Sequence, residues 1–202
     1  MRPEPVLLAF DTSAAHCAAA LLCGETLVAL CEEPMEKGQA ERLMPLLEEL
    51  LARGGLGWAD LQALAVGTGP GNFTGVRIAV AAARGLSLAL GIPALGVTRF
   101  EALSFGLPAP VAVIEDARRG EVYLCDGAEP PRIVPREGLA IRAPHQVGSA
   151  AFADVLAPRH PLAEAIARVA LTRLGKAQPR PAPFYLRGAD AAPAADPPPV
   201  IL

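Results

Sequence analysis

With 202 residues, 52% of them hydrophobic, the chain has enough apolar material for the core of one large domain or two small ones. A formal charge of −3 provides no broad basic field, which excludes proteins that grip nucleic acid chiefly through overall charge and leaves a nucleic acid only as an indirect substrate. Lys37 and Lys176 are the only lysines, and the four cysteines form no C-x-x-C pair and have no histidine at metal-ligand spacing, so the composition predicts reduced thiols and neither a zinc site nor a redox motif.

Near the N-terminus, Val6 to Phe10 is a short apolar run that ends in Asp11-Thr12-Ser13. Cys17 to Leu22 and Thr26 to Cys31 are two more such runs, and three short strands joined by tight turns predict an antiparallel meander. Glu4 and Asp11 interrupt the apolar core that a secretory leader needs, and no uninterrupted apolar stretch reads as a membrane span, so the expected location is the cytoplasm. From Ala40 onward Leu43, Leu46, Leu47, Leu50 and Leu51 recur at helical spacing until Gly54-Gly55 stops the helix. Leu61 to Val66 predicts a fourth strand, Thr74 to Leu90 a second helix, and the segment after Gly91 a fifth strand. The order βββαβαβ is that of an α/β ribonuclease-H-like lobe, the unit that occurs twice in the actin/Hsp70/sugar-kinase (ASKHA) fold.

The rest of the chain predicts a shortened second lobe. Ala109 to Gly127 gives a strand, a charged turn and another strand, and Pro161 to Lys176 gives an amphipathic helix with Ile166, Val169, Ala170 and Leu174 inward. Residues 126–160 are rich in proline and carry little regular pattern. These features divide the chain into a first lobe at 1–100, a reduced second lobe at 101–188 and a Pro/Ala-rich tail at 189–202, which reads as a flexible end or an extended arm.

Two features compete to carry function. Asp11, with Thr12 and Ser13, follows the first strand, where nucleotide-using members of the fold hold a metal-phosphate complex. The Gly67 to Gly75 loop, with Gly69, Gly71 and Asn72, leads into a helix whose first amides could hold an anion. The loop has neither the Gly-Lys-Ser/Thr nor the G-x-G-x-x-G pattern. The helix behind it is apolar or small on nearly every face, apart from Arg77 and Arg84, and such a helix has to be buried on nearly every face. Two arrangements meet that requirement: a fully internal core helix, or one side packed on the sheet with the other covered by a partner subunit. The histidines at 16, 145 and 160 are isolated in sequence and suggest no role, and no nucleophile and base stand at a protease spacing.

The blocks "LAFDTSAAHCAAALL", "ERLMPLLEELL", "GTGPGNFTGVRIAVAAARGL", "IPALGV", "DARRGEVY" and "PFYLR" occur in one order, and with them the chain resembles the bacterial TsaB (YeaZ) family. The resemblance implies a non-catalytic subunit in the synthesis of threonylcarbamoyladenosine on tRNA. Such a subunit pairs with the catalytic paralogue TsaD, works with the ATPase TsaE, touches tRNA only indirectly, and forms a homodimer when its partner is missing. It also implies that the two helices form the pairing surface, to which Leu43, Leu47, Leu50, Val76, Val80 and Ala83 are expected to contribute, with Arg77 at the rim. A charge at Val80 should then break the pairing and spare the fold. Asp11, Thr12, Ser13, Gly69, Gly71 and Asn72 would lie near any ATP or ADP with Mg2+ held at the subunit junction, with no cofactor bound firmly by this chain and no metal site of its own. The His-x-x-x-His metal motif of TsaD is replaced here by Gln39 and Leu43. The rival reading is a small ASKHA-fold ATPase or phosphotransferase that uses Asp11 and the Gly67–Gly75 loop.

Overall fold

Strand β1 (Val6–Asp11) has five apolar residues before its aspartate and every residue is buried, as a central strand covered on both faces requires. In this computed structural model, which describes residues 4–187, β2 (His16–Cys23) runs antiparallel to β1 with Leu8 opposite Leu21, and β3 (Thr26–Pro34) is antiparallel to β2. Helix α1 (Gln39–Arg53) carries the chain over to β4 (Ala63–Gly67), which lies parallel to β1 on its other side. Helix α2 (Phe73–Leu90) then leads to β5 (Ala94–Val97), parallel to β4. The sheet order is β3-β2-β1-β4-β5.

The period of two in these strands builds two different faces. Leu8, Phe10, Leu21, Leu64 and Val66 face α1 and α2, with Leu43, Leu46, Leu47, Leu50 and Leu51 of α1 packed on them. Ala9, Ala18, Ala20, Ala63 and Ala65 face the opposite way, against α4 (Leu162–Leu171). Alanines on the sheet meet Ala163, Ala165, Ala167 and Ala170 on the helix, and these short side chains let the two backbones approach closely. The α/β fold expected from the order of elements is the one observed.

A second sheet, β8-β7-β6-β9, is made of β6 (Val111–Asp116), β7 (Glu121–Asp126), β8 (Arg132–Pro135) and β9 (His145–Val147). It repeats the antiparallel, antiparallel, parallel pairing of the first four strands of the larger sheet. Two of its strands, β8 and β9, lie in the 126–160 stretch that lacks a sequence pattern; at four and three residues they are too short to show a period.

Residue 100 does not separate two cores. Helices α3 (Arg99–Ser104) and α4 join the large sheet to Val111, Val113 and Val147 of the small one in one apolar cluster. The tail at 189–202 lies outside the described residues. Helix α2 has 18 residues and a mean hydropathy of 1.4, which by length and composition alone would suit a membrane span, although Arg77 and Arg84 interrupt its apolar run. Here it is the crossover helix of a β-α-β unit, with Val76, Ala79, Val80 and Ala83 seated on the sheet.

Candidate functional site

The turn after β1 and the glycine loop after β4 meet at the end of the large sheet. Asp11, Thr12 and Ser13 are each at most 1% exposed. Asp11 Oδ1 accepts from Ser13 N at 2.9 Å, Ser13 Oγ at 2.8 Å and His16 Nε2 at 2.8 Å. Its other oxygen, Oδ2, lies so close to Gly67 that a Cβ there would come within 1.8 Å. Thr12 Oγ1 donates to Gly75 O at 2.6 Å, and the Thr12 carbonyl oxygen would be 1.9 Å from a Cβ on Gly75. Asn72 N donates to Ser13 O at 2.6 Å, and Asn72 Oδ1 caps α2 by accepting from Gly75 N at 2.9 Å. Gly69 O accepts from Arg99 N at 2.8 Å, and Gly71 lies against the Ser13 carbonyl. The six residues expected near a nucleotide are thus brought together, but packed against one another.

Electrostatics holds Asp11 as a carboxylate. Burial alone would raise its pKa, but the His16 hydrogen bond, the charge of Arg99 and the Ser13 amide outweigh burial and keep it below the ordinary value. Arg99 Nε donates to Glu115 Oε2 at the end of β6, so its guanidinium ties the end of the large sheet to the small one. Its Nη1 has no hydrogen-bond partner among the described residues, and its pull on Asp11 is exerted through charge. A metal-phosphate complex needs free, outward-facing carboxylate lone pairs. This chain's residues do not fit one, and the geometry gives the phosphotransferase reading no support.

The same atoms bear on a protease reading. Asp11, Ser13 and His16 have the composition of a catalytic triad, but both Ser13 Oγ and His16 Nε2 donate to the same oxygen of Asp11. A working triad puts the imidazole between serine and aspartate, with the hydroxyl facing a cleft. Here the imidazole is not the base for the hydroxyl, and all three residues are buried.

The largest correction concerns the helix face. Leu43, Leu47, Leu50, Val76, Val80 and Ala83, expected at a partner interface, are at most 3% exposed and belong to the core between the helices and the large sheet. A glutamate at Val80 would therefore unfold the chain before it could report on association. Of the seven interface residues, only Arg77 stands on the outside. Its guanidinium lies 3.7 Å over the Phe73 ring, and its Nε donates to Tyr185 Oη at 2.9 Å. The remaining outward positions of α2 include Ala81, Arg84, Gly85, Ala89 and Leu88, which is 86% exposed. Just 28% of this apolar helix is buried.

The sequence gives His16 no role and singles out none of Arg99, Phe73 and Tyr185. His16 lies across a tight turn from Asp11, a separation that points back to it once the hairpin is drawn. Nothing local marks Arg99 or Tyr185.

The four cysteines are free thiols. Burial, with help from the negative charge of Glu33, pushes the Cys17 thiol up to about 11. The stability gained by burying the neutral thiol is complete below its ordinary value of 9.0 and is lost as the pH rises toward 11. Mass spectrometry after brief maleimide treatment at pH 7.5 is expected to find Cys23 and Cys31 labelled and Cys17 intact; labelling of Cys17 at an equal rate would contradict its burial.

Comparison with known proteins supplies the context for this geometry. A family model described as TsaD, tRNA N6-adenosine threonylcarbamoyltransferase, matches residues 33–192. An uncharacterized protein of Mycobacterium tuberculosis is 36% identical over 94% of this chain and 95% of its own length. The tRNA threonylcarbamoyladenosine biosynthesis protein TsaB of Escherichia coli is 38% identical over 58% of this chain, and the match spans about half of that protein, 52%. Among solved structures, YeaZ from Pseudomonas aeruginosa superposes with a TM-score of 0.73 at 30% identity over 90% of this chain and 100% of its own. A second protein from that organism, described as similar to the peptidase YeaZ, gives 0.77 at 29% identity over 91% and 100%.

Proposed function

As the chain belongs to the TsaB (YeaZ) branch of the family that includes the TsaD threonylcarbamoyltransferases, its place is in tRNA threonylcarbamoyladenosine biosynthesis, and we propose that it serves there as the non-catalytic subunit paired with TsaD. The observation that carries this reading is the outer face of α2: an apolar helix with Ala81, Gly85, Ala89 and Leu88 open to solvent and an Arg77-Phe73-Tyr185 cluster at its start. Small residues allow close helix-helix approach, and an arginine beside aromatic rings is the composition of an interface anchor. Without TsaD the same face would pair two copies of this chain. The complex would work in the cytoplasm with the ATPase TsaE.

Two features of the described residues support that role. Gln39 Nε2 donates to Met35 O at 3.0 Å, and Leu43 is in the core, where TsaD carries its metal-binding histidines. Gly71 and Asn72 are the only exposed members of the six residues around the loop, so any ATP or ADP with Mg2+ at the subunit junction would be held mainly by the partner.

Reconstitution tests the reading. TsaD, TsaE, a threonylcarbamoyl-adenylate source and an ANN-decoding tRNA are expected to give modified tRNA only when this chain is present, and this chain alone is expected to give none. Equal modification without the chain would overturn the proposal.

A further inference from the structure

A groove of about 900 Å³ runs between the C-terminal half of α2, strand β5 and segment 173–181. One wall carries Arg84, and the other carries Arg173, Lys176 and Arg180; among the described residues no aspartate or glutamate lines it. Arg173 is neutralised by Glu101 at 2.5 Å, whereas Arg84, Lys176 and Arg180 are exposed and make no ion pair among the described residues. The carbonyl end of α2 brings about half a negative charge to the groove, well short of cancelling three cations. In a chain of net charge −3, this is a local concentration of positive charge that the overall balance conceals.

We infer that this groove takes the phosphodiester backbone of the RNA being modified. The inference rests on the tRNA-modification reading above and goes beyond it, because it gives this subunit a direct contact with the substrate. A site for one small phosphate gathers its donors around a buried point. Here the cations are exposed and stand on opposite walls of an open trough, an arrangement that suits successive phosphates of one strand. Arg84 and Leu88 belong both to the groove and to the outer face of α2, so RNA lying in it would run along the edge of the subunit junction. The exposed cations contribute charge with no base-edge geometry, so binding here should be tolerant of sequence and sensitive to salt.

The test uses the complex with TsaD and the double variant Lys176→Glu/Arg180→Glu, both away from α2. The variant is expected to co-purify with TsaD and to raise the KM for tRNA about tenfold with kcat unchanged. The slope of log binding constant against log salt should shrink by about 2, one for each lost phosphate contact. Lys176→Arg/Arg180→Lys should bind as the parent does. An unchanged KM and salt slope would overturn the inference, as would displacement of labelled tRNA by pyrophosphate or by poly-glutamate as readily as by unlabelled tRNA. If the parent chain is needed for modification but the variant behaves like it, the groove assignment alone fails. If the parent chain is not needed at all, the functional reading fails and takes this inference with it.

Discussion

Gly75→Ala is expected to cost about 3 kcal/mol or more, near the upper end for overpacking, and to lower the melting temperature by about 6–12 °C in a chain of this size. The new Cβ would lie 1.9 Å from the Thr12 carbonyl oxygen and 2.9 Å from its carbon, both of them backbone atoms that cannot swing aside. Thr12 in turn donates to the Gly75 carbonyl at 2.6 Å, so relieving the clash means breaking a buried hydrogen bond. The start of α2 would lift off the turn after β1, and the seating of the helix that carries the proposed partner face would go with it. Gly85→Ala is the matched control. Nothing lies within 4 Å of a Cβ at that position, and an alanine there should stabilise the helix by about 0.5–1 kcal/mol. Thermal and urea unfolding of the two variants decide the matter. If Gly75→Ala melts within 2 °C of the parent, by the scaling of melting temperature with stability, the loop does not dock on the turn as described.

Ala81→Glu is expected to weaken association with TsaD by about a hundredfold or more while leaving stability within about 0.5 kcal/mol of the parent. Ala81 is exposed midway along the outer face of α2, where a longer charged side chain would hold two helices apart and have to be desolvated on binding. The neighbouring Val80→Glu gives the opposite pattern. Val80 is 3% exposed against the sheet, so a carboxylate there has no partner and no water, and the folded chain itself is lost. Co-purification and thermal melting, measured side by side on both variants, separate the two faces of one helix. Retained pairing in a folded Ala81→Glu chain would place the interface elsewhere.

Much of the architecture is written in local periodicity. The runs at 6–10, 17–22 and 26–31 became β1, β2 and β3 because apolar strands of that length bounded by turns have few other uses. The leucines of α1 point inward as their spacing requires, since a polar face opposite them leaves one way to dock the helix. The glycine-phenylalanine-threonine block carries the family, and with it the biosynthetic role. These properties depend on neighbours in sequence.

Where the sequence offers two equivalent answers, tertiary structure chose between them. Helix α2 is apolar around its circumference, so Val76, Val80 and Ala83 cannot be told from Ala81, Gly85 and Leu88 by periodicity; docking on the sheet alone decides which set remains outside. Glycines before a helix suit either a phosphate cradle or a close backbone approach, and only the meeting of Gly67 with Asp11 and of Gly75 with Thr12 selects the second. Arg99 with Glu115, Arg77 with Tyr185, and Arg84 with Arg180 come together from distant parts of the chain. Sequence alone determined most of the elements, though not α3, β8 or β9, and the family of this protein, because these are encoded over short spans. Which surfaces are closed and which remain open was decided by contacts between residues far apart in the chain, and no local pattern records them.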